Sequence, residues 1–251
     1  MTKKFLSVLI LSLFITSGSA FAADIDLGEG YHVPSGFSSI LITSSDGTAI
    51  QNAVDNIQSG GTISLSGDFK LKKDNINIKK TLTIKGIGNA ILDRSGASEK
   101  DRVIRCQGNI TLENLTLIGG DSLNGGGIKI DGGKVKIISC DIHGNTSLWG
   151  GGGIYALIGT LELTGCNISN NASLFPGGGL NALGSSVTMN NCKITGNSTS
   201  SKCGGGVAVT GSSRVTATSC DISGNIVKPK TDADLASADV YCEDSATYTA
   251  N

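Results

Sequence analysis

Four cysteines recur along the chain at nearly equal spacing, and cysteine can act as a metal ligand, a nucleophile or a disulfide partner. Each begins a hexapeptide of one type, CDIHGN, CNISNN, CKITGN or CDISGN, at Cys140, Cys166, Cys192 and Cys220. If these residues form one column of a stacked repeat, their thiolates spread over roughly 14 Å and cannot converge on one tetrahedral zinc ion. We therefore expect no metal and no cofactor. The cysteines are either small buried apolar residues, or one or more disulfides join adjacent repeats.

Clustered carboxylates are the second chemistry to look for, because enzymes that cleave polysaccharides use them as acid–base pairs or calcium ligands. The residue after each cysteine is Asp141, Asn167, Lys193 or Asp221, so two repeats without an acid separate the two aspartates. Two further columns are predicted to face outward, Lys136, Glu162, Thr188 and Thr216 in one and Lys129, Tyr155, Asn181 and Ala208 in the other. Because no column pairs two carboxylates, we predict solvated faces and no catalytic residue.

Two groups of residues are candidates for ligand binding. Lys70, Lys72 and Lys79 lie among apolar residues in a strand-like pattern and could hold an anionic glycan, although such lysines also serve as a solvated strand surface that prevents edge pairing. Trp149 and Phe175 precede successive glycine runs. They could form an aromatic platform for a sugar, and packing over their own loops is the alternative.

The repeat extends beyond each hexapeptide and has the periodicity of β-strands. A run of three glycines and an aliphatic residue precedes every hexapeptide, as in GGGI at residues 151–154. An apolar-x-apolar pair, such as Leu161 and Leu163, lies between the two. Alternation with a period of two predicts about three short strands in each repeat, separated by Gly, Asn and Ser turns.

One such repeat cannot bury its own apolar face, so a solenoid of stacked repeats is expected. A leucine-rich repeat is excluded because its first apolar position is Gly132, Gly184 or Ser212 in three repeats. A left-handed helix of hexapeptides would close a turn in about 18 residues, fewer than the 26 to 28 residues between successive cysteines. The sequence therefore predicts an all-β fold, a right-handed parallel β-helix. At the corner of each turn, an asparagine would bond to the turns above and below; these are Asn145, Asn171, Asn197 and Asn225.

Both ends of the repeat region carry their own signals. Apolar residues of TAIQNAVDNIQSGG recur at helical spacing, and Thr48 and Gln51 match a capping box, with Gly60 as the end of a short N-terminal capping helix. At the other end, Val240 and Cys242 resemble the start of a further turn that is not completed. We expect self-association through this C-terminal turn, because an uncovered edge offers unpaired backbone groups.

The first residues have the pattern of a secretory signal. Lys3 and Lys4 precede an apolar stretch that is too short to span a bilayer, and a small-x-small cleavage site follows. The predicted organisation is a signal peptide (1–22), an N-terminal segment with the capping helix (23–60), β-helix repeats (61–225) and an incomplete last turn and tail (226–251). We expect export, with secretion, outer-membrane association or a periplasmic location as the destinations, and no transmembrane segment after signal removal. A net charge of −1 argues against nucleic acid as a partner.

The pairing of Gly-Gly-Gly-[ILV] with Ile-x-x-Asn resembles the GGA[ILV] and FxxN repeats of chlamydial polymorphic membrane proteins, with Ile142, Ile168, Ile194 and Ile222 in place of the phenylalanine. The resemblance covers residues 110–225. It implies a surface-exposed passenger domain, of a kind that is often adhesive, with surface glycans or host cell-surface proteins as partners. Since no column pairs two carboxylates, we also expect the protein not to be an enzyme. The alternatives are a pectate-lyase-like carbohydrate-active enzyme and a truncated passenger of a larger adhesin.

Overall fold

Short strands separated by turns follow the alternation of apolar residues along the chain. The computed structural model describes residues 24–25, 37–43, 47–228 and 238–251, with 24–25 described in the backbone only. The predicted signal peptide, residues 1–22, lies outside the described residues, as does the stretch 229–237. The described chain forms a parallel β-solenoid of about seven turns with one short helix, which confirms the predicted all-β class.

Three sheets run along the solenoid, and neighbouring strands pair in parallel. Sheet A bends around one corner and has 15 strands: β1 (Asp24–Ile25), β2 (Ser39–Ile42), β3 (Thr62–Leu65), β4 (Asp68–Lys70), β6 (Leu82–Asp93), β8 (Ile110–Ile118), β11 (Lys134–Ile138), β12 (Asp141–His143), β15 (Thr160–Thr164), β16 (Asn167–Ser169), β19 (Ser186–Asn190), β20 (Lys193–Thr195), β23 (Arg214–Thr218), β24 (Asp221–Ser223) and β27 (Thr247–Ala250). Sheet B has seven: β5 (Ile76–Ile78), β7 (Ile104–Cys106), β10 (Ile128–Asp131), β14 (Ile154–Leu157), β18 (Leu180–Leu183), β22 (Val207–Thr210) and β26 (Val240–Cys242). Sheet C has five: β9 (Asp121–Ser122), β13 (Thr146–Ser147), β17 (Ala172–Ser173), β21 (Ser198–Thr199) and β25 (Ile226–Val227).

Equivalent residues of successive repeats lie in register and form the core as columns of aliphatic side chains. On sheet A, Val135 pairs with Leu161, Leu161 with Val187 and Val187 with Val215. All four side chains are buried. Stacking at the strand spacing thus buries an apolar face that a single repeat would leave in water.

The helix α1 (Thr48–Asn56) covers the beginning of the solenoid with Ala49, Ile50, Ala53 and Val54 buried. The predicted capping box is wrong: Gly47 is the N-cap residue and no side chain caps the helix. Because Gly47 already has helical φ and ψ, Thr48 lies inside the first turn. The helix also ends before Gly60, since Ile57 adopts an extended backbone and enters the core.

Gln51 has a different role from the predicted one. Its side-chain amide accepts a hydrogen bond from the Asn77 backbone N (2.8 Å) and donates one to the Asn77 carbonyl (3.2 Å). These are the backbone groups at the free edge of strand β5, the first strand of sheet B. Gln51 therefore satisfies an edge that would otherwise be open.

The solenoid extends beyond the predicted repeat boundaries at both ends. Strand β2 precedes the helix and already pairs with β3, so sheet A includes residues ahead of position 61. After the gap, β26 pairs with β22 and β27 pairs with β23. The last turn is thus more complete than predicted, because residues 238–251 supply strands to two sheets.

Candidate ligand-binding surface

A ladder of asparagines fixes the corner between sheets A and C. The amide oxygens of Asn171, Asn197 and Asn225 each accept two hydrogen bonds of 3.0 Å. The donors are the backbone N and the Nδ2 of the asparagine one turn earlier, beginning with Asn145. Each Nδ2 also donates to a carbonyl of the preceding turn, as Asn171 does to Ile142 (2.8 Å). Asp239 ends the ladder, because its carboxylate accepts both bonds from Asn225 but has no N–H to donate.

The glycine runs pack directly on this ladder. A Cβ on Gly153 would lie 3.0 Å from Asn171 Nδ2 and 2.7 Å from the Gly179 carbonyl oxygen. The neighbouring Gly152 is closer still, since a Cβ there would lie 2.4 Å from the Ala172 oxygen. The glycine run and the asparagine are therefore two halves of one packing unit, which explains why the sequence repeats them together.

The glycine loops also fold over the outer face of sheet B. A Cβ on Gly151, which has a φ of +61°, would lie 2.8 Å from Tyr155 Cα, and one on Gly177 would lie 2.7 Å from Asn181 Cβ. Tyr155, Asn181 and Ala208 are consequently buried. The prediction of a solvated face was wrong for these three residues, because period-two alternation cannot show that a loop covers the outward side.

The same loops expose a ridge of apolar side chains beside sheet C, hereafter the apolar ridge, formed by Leu123, Leu148, Trp149, Leu174 and Phe175. The rings of Trp149 and Phe175 stack with centroids 5.0 Å apart at an interplanar angle of 29°. They remain 51% and 45% exposed, respectively. The rings therefore contact each other as well as solvent, and their outer faces and edges are accessible.

A groove with a volume of about 710 Å³ adjoins this ridge. The three leucines of the ridge line it, and Lys100, Asp101, Arg102 and Asp121 are among its other lining residues. Lys100 forms an ion pair of 2.7 Å with Asp121. The groove thus combines an aliphatic wall with charged groups, an arrangement typical of binding sites that fix orientation with a few polar contacts.

Sequence reasoning found the two aromatic residues but missed the leucines. The signal was present as a repeated serine–leucine pair, in which Ser122, Ser147 and Ser173 end strands β9, β13 and β17 of sheet C and a leucine follows each. The serine hydroxyls turn the chain, since Ser122 Oγ donates to the Asn124 carbonyl and Ser147 Oγ to the Gly150 carbonyl, both at 2.8 Å. The leucines that follow are then directed outward.

The three candidate lysines do not form one surface patch. Lys70, at the end of β4 on sheet A, donates to Asp93. Lys72 is exposed between β4 and β5, and Lys79 is exposed directly after β5 on sheet B. Their neighbour Lys80 is structural, because its Nζ donates to the Asp55 carbonyl (2.8 Å) and the Ile57 carbonyl (2.9 Å) at the end of α1.

The repeated cysteines lie in register at the bend of sheet A, directly before β12, β16, β20 and β24, and all seven cysteines of the chain are free thiols. Cys140, Cys166 and Cys192 are buried, whereas Cys220 is partly accessible. Burial raises the pKa of Cys140 to about 11. A hydrogen bond with Cys192 lowers the pKa of Cys166, although burial opposes it.

A second, smaller groove of about 390 Å³ lies on sheet A and contains the His143–Asp141 pair at 3.9 Å. Asn89, Asn114 and Thr116 are among its other lining residues. Within the part of the chain that the structure describes, no three His, Cys, Asp or Glu side chains converge as metal ligands. In the same residues, no helix is long and apolar enough to cross a membrane.

These features define a parallel β-solenoid whose loops present an apolar ridge and an adjoining groove. The sequence profile of the family described as "Right handed beta helix region" matches residues 103–249, and the chain belongs to this family. The match confirms the right-handed β-helix predicted from the repeat. The chain has no significant similarity to a curated protein or to a solved structure.

Proposed function

We propose that this protein is an exported, non-catalytic binding module that attaches to a cell-surface partner through the apolar ridge. The observation that carries the proposal is the stack of Trp149 and Phe175, half exposed and flanked by three exposed leucines on one edge of the solenoid. A contiguous exposed apolar patch of this kind is typical of an interaction site. Tryptophan is also enriched among the residues that dominate binding energy.

The surroundings of the ridge support recognition of a partner rather than non-specific adhesion. The adjoining groove supplies ionic and polar groups at Lys100, Asp101 and Arg102. The ridge follows the solenoid axis, so an extended partner can contact several turns at once. The resemblance of the repeats to those of polymorphic membrane proteins supports an adhesive role, and surface glycans and host cell-surface proteins are the proposed partners.

Location and catalysis belong to the same proposal. The signal-like residues 1–22 support export, with the cell surface or the medium as the destination and the periplasm as the alternative.

The absence of catalysis is proposed because the acids of the outer columns are separated or paired with lysines, as Glu162 is with Lys134 (2.6 Å) and Lys136 (3.2 Å). Release of unsaturated or reducing ends from pectin or alginate, lost on Asp141→Asn, would favour the pectate-lyase-like alternative.

The test compares binding of labelled protein to cultured epithelial cells and to a printed glycan array. We expect Trp149→Ala and Leu148→Ser to reduce binding at least about tenfold, the loss typical of a residue that dominates an interface. Ile158→Ser is the matched control, because Ile158 is the most exposed large apolar residue of the described chain and lies outside the ridge. Prior treatment of the cells with protease or with glycosidases separates a protein partner from a glycan.

The proposal fails if the ridge variants bind as the unmodified protein does. It also fails if Ile158→Ser loses as much binding as Trp149→Ala, because any exposed apolar residue would then serve. Circular dichroism of each variant checks that the β-helix is intact.

A further inference from the structure

The three leucines of the apolar ridge form a column along the solenoid axis. Leu148 N donates to the Ser122 carbonyl (3.0 Å), which continues the sheet C ladder to the residue beside Leu123. Leu174 N donates in the same way to the Ser147 carbonyl (3.2 Å). Successive leucines are therefore one strand spacing apart, roughly 4.8 Å. The two stacked aromatic rings of the ridge repeat with the same step, since their centroids lie 5.0 Å apart.

Polar residues bound this column at both ends. Beyond the third leucine, the equivalent position of the next turn is Ser200, which is exposed and whose N donates to the preceding turn (3.0 Å). At the Leu123 end, the preceding turn contributes the charged residues 100–102 to the groove. The hydrogen bond from Asp121 N to the Asp101 carbonyl (2.9 Å) holds them there. The apolar stripe is therefore three residues long and spans about 9.6 Å.

The charged end of the groove is balanced between the two signs. Lys100 pairs with Asp121 at 2.7 Å, and Arg102 Nε lies 3.3 Å from Asp101 Oδ1. Among the residues that line the groove, two cations therefore face two carboxylates. Exposed ion pairs of this kind contribute little binding energy. A partner is thus selected by its apolar side chains, and its own net charge matters little.

The exposed area of the ridge limits the size of the contact. Its five side chains are between 37% and 60% exposed. An aromatic side chain buries at most about 250 Å² and a leucine less, so the ridge offers no more than roughly 600 Å². Each partner of a standard protein–protein interface buries about 800 Å². The ridge alone is therefore too small for a stable contact with a second copy of this chain, and it suits a single segment of a partner.

The spacing of the leucines selects the conformation of that segment. In an α-helix laid along the column, side chains at i, i+4 and i+7 share one face and span about 10.5 Å, which matches the three leucines to within about 1 Å. Three side chains on one face of an extended strand in the same direction span about 13 Å. Addition of a strand to sheet C is also excluded here, because β13 and β17 are already paired on both sides. A helix fits the column and a strand does not.

We propose that the leucine column and the adjoining groove receive one amphipathic α-helix of a partner protein, laid along the solenoid axis. Apolar residues at i, i+4 and i+7 of this helix contact Leu123, Leu148 and Leu174. Its polar residues meet Ser200 at one end and the charged pairs of the groove at the other. The helix site rests on the proposed function, since it takes the ridge as the binding surface, and it narrows the partner to a helical segment of a protein.

Fluorescence anisotropy with a set of stapled helical peptides tests the site. The peptides have Leu, Ile, Met, Phe or Trp in every combination at i, i+4 and i+7, and polar residues without net charge elsewhere. We expect saturable binding by at least one of them, and none by extended, proline-flanked peptides with the same residues at i, i+2 and i+4. Leu148→Ser should weaken that binding at least about tenfold, because it removes the central contact. Ile158→Ser, outside the ridge, should leave it unchanged.

Ser200→Leu adds a test that loss of structure cannot imitate, because it extends the leucine column by one turn. Peptides with a fourth apolar residue at i+11 should bind this variant about fivefold more tightly, the effect of burying one more half-exposed leucine. Peptides with three apolar residues should bind it as they bind the unmodified protein. The helix site is overturned if no helical peptide binds, if extended peptides bind equally well, or if Leu148→Ser and Ser200→Leu have no effect.

Attachment to cells separates the helix site from the proposed function. The tightest helical peptide should block attachment of the labelled protein. If Trp149→Ala loses attachment but no helical peptide binds or blocks it, the helix is wrong and the proposed function stands, with a glycan or a non-helical protein segment as the partner. If a helical peptide binds but the ridge variants attach as the unmodified protein does, the proposed function is wrong.

Discussion

At the scale of single residues, the corner asparagine is the most constrained polar group of the repeat. Asn171 is buried and forms hydrogen bonds with the turns on both sides of it, accepting from Asn145 and donating to Ile142 and Asn197. Removing its amide leaves several buried partners unsatisfied at once. This differs from a surface asparagine, whose partners are replaced by water.

We therefore expect Asn171→Ala to lower the free energy of unfolding by about 3 kcal/mol. Asn167→Ala, four residues earlier and partly exposed, is the control and should change it by less than about 0.5 kcal/mol. Urea denaturation followed by circular dichroism measures both. Equal effects of the two substitutions would show that the ladder is not a stabilising unit.

The thiols offer a second test at the residue scale, because the sequence left disulfides and buried free cysteines open. Cys242 is exposed, whereas Cys106, Cys140, Cys166 and Cys192 are buried. In the native protein, Cys242 should react with a chromogenic disulfide reagent first and these four only after denaturation. Mass spectrometry of unreduced protein showing a Cys166–Cys192 disulfide would contradict the free-thiol structure.

The sequence predicted which residues repeat, but not which of them are exposed. The columns of Cys, Ile and Asn follow directly from periodicity, since stacking requires like residues in register. The stacking of Trp149 on Phe175 and the burial of Tyr155 depend on how the glycine loops fold over the outer faces. No periodic pattern encodes that, and Tyr155 was misplaced for this reason.

At the scale of elements, each glycine loop is held by its neighbours above and below. A Cβ on Gly152 would lie 2.4 Å from the Ala172 oxygen and 2.5 Å from the Gly178 oxygen, and both belong to the backbone. Neither atom can move without shifting an adjacent strand. The loop that carries Trp149 is therefore positioned by contacts between turns rather than by its own sequence.

Gly152→Ala should consequently destabilise the protein by more than about 2 kcal/mol, since overpacking against backbone forces rearrangement. Gly144→Asn is the contrasting variant, because nothing lies within 4 Å of a Cβ at Gly144 and asparagine tolerates its φ of +65°. We expect that change to cost less than about 1 kcal/mol. Thermal unfolding of the two variants measures the difference in stability. Equal midpoint temperatures would show that the backbone does not approach Gly152 closely.

At the scale of the whole molecule, the two ends of the described solenoid differ. Helix α1 and Gln51 cover the first turns, as the sequence predicted in outline although not in its capping contacts. At the other end, β24, β25, β26 and β27 have no further strand beside them in the described residues. Ile222, Val240 and Tyr248 are only partly buried against the core there.

Deleting residues 238–251 should increase self-association while leaving the central turns folded. The deletion uncovers Val207 and Val215 and leaves the Asn225 amide without its acceptor, Asp239. Sedimentation velocity of the two proteins at several concentrations measures the change, with circular dichroism as the check on folding. A monomeric deletion variant, or one that unfolds throughout, would refute this expectation.

The central claim is that the apolar ridge contacts a cell-surface partner, and site-specific photocrosslinking tests it most directly. Phe175→benzoylphenylalanine places the crosslinker on the ridge, and Ile158→benzoylphenylalanine places it on an exposed site elsewhere. After irradiation on cultured epithelial cells, the account predicts a discrete covalent adduct from position 175 and none from position 158. Adducts of equal yield from both positions, or an adduct from position 158 alone, would contradict it.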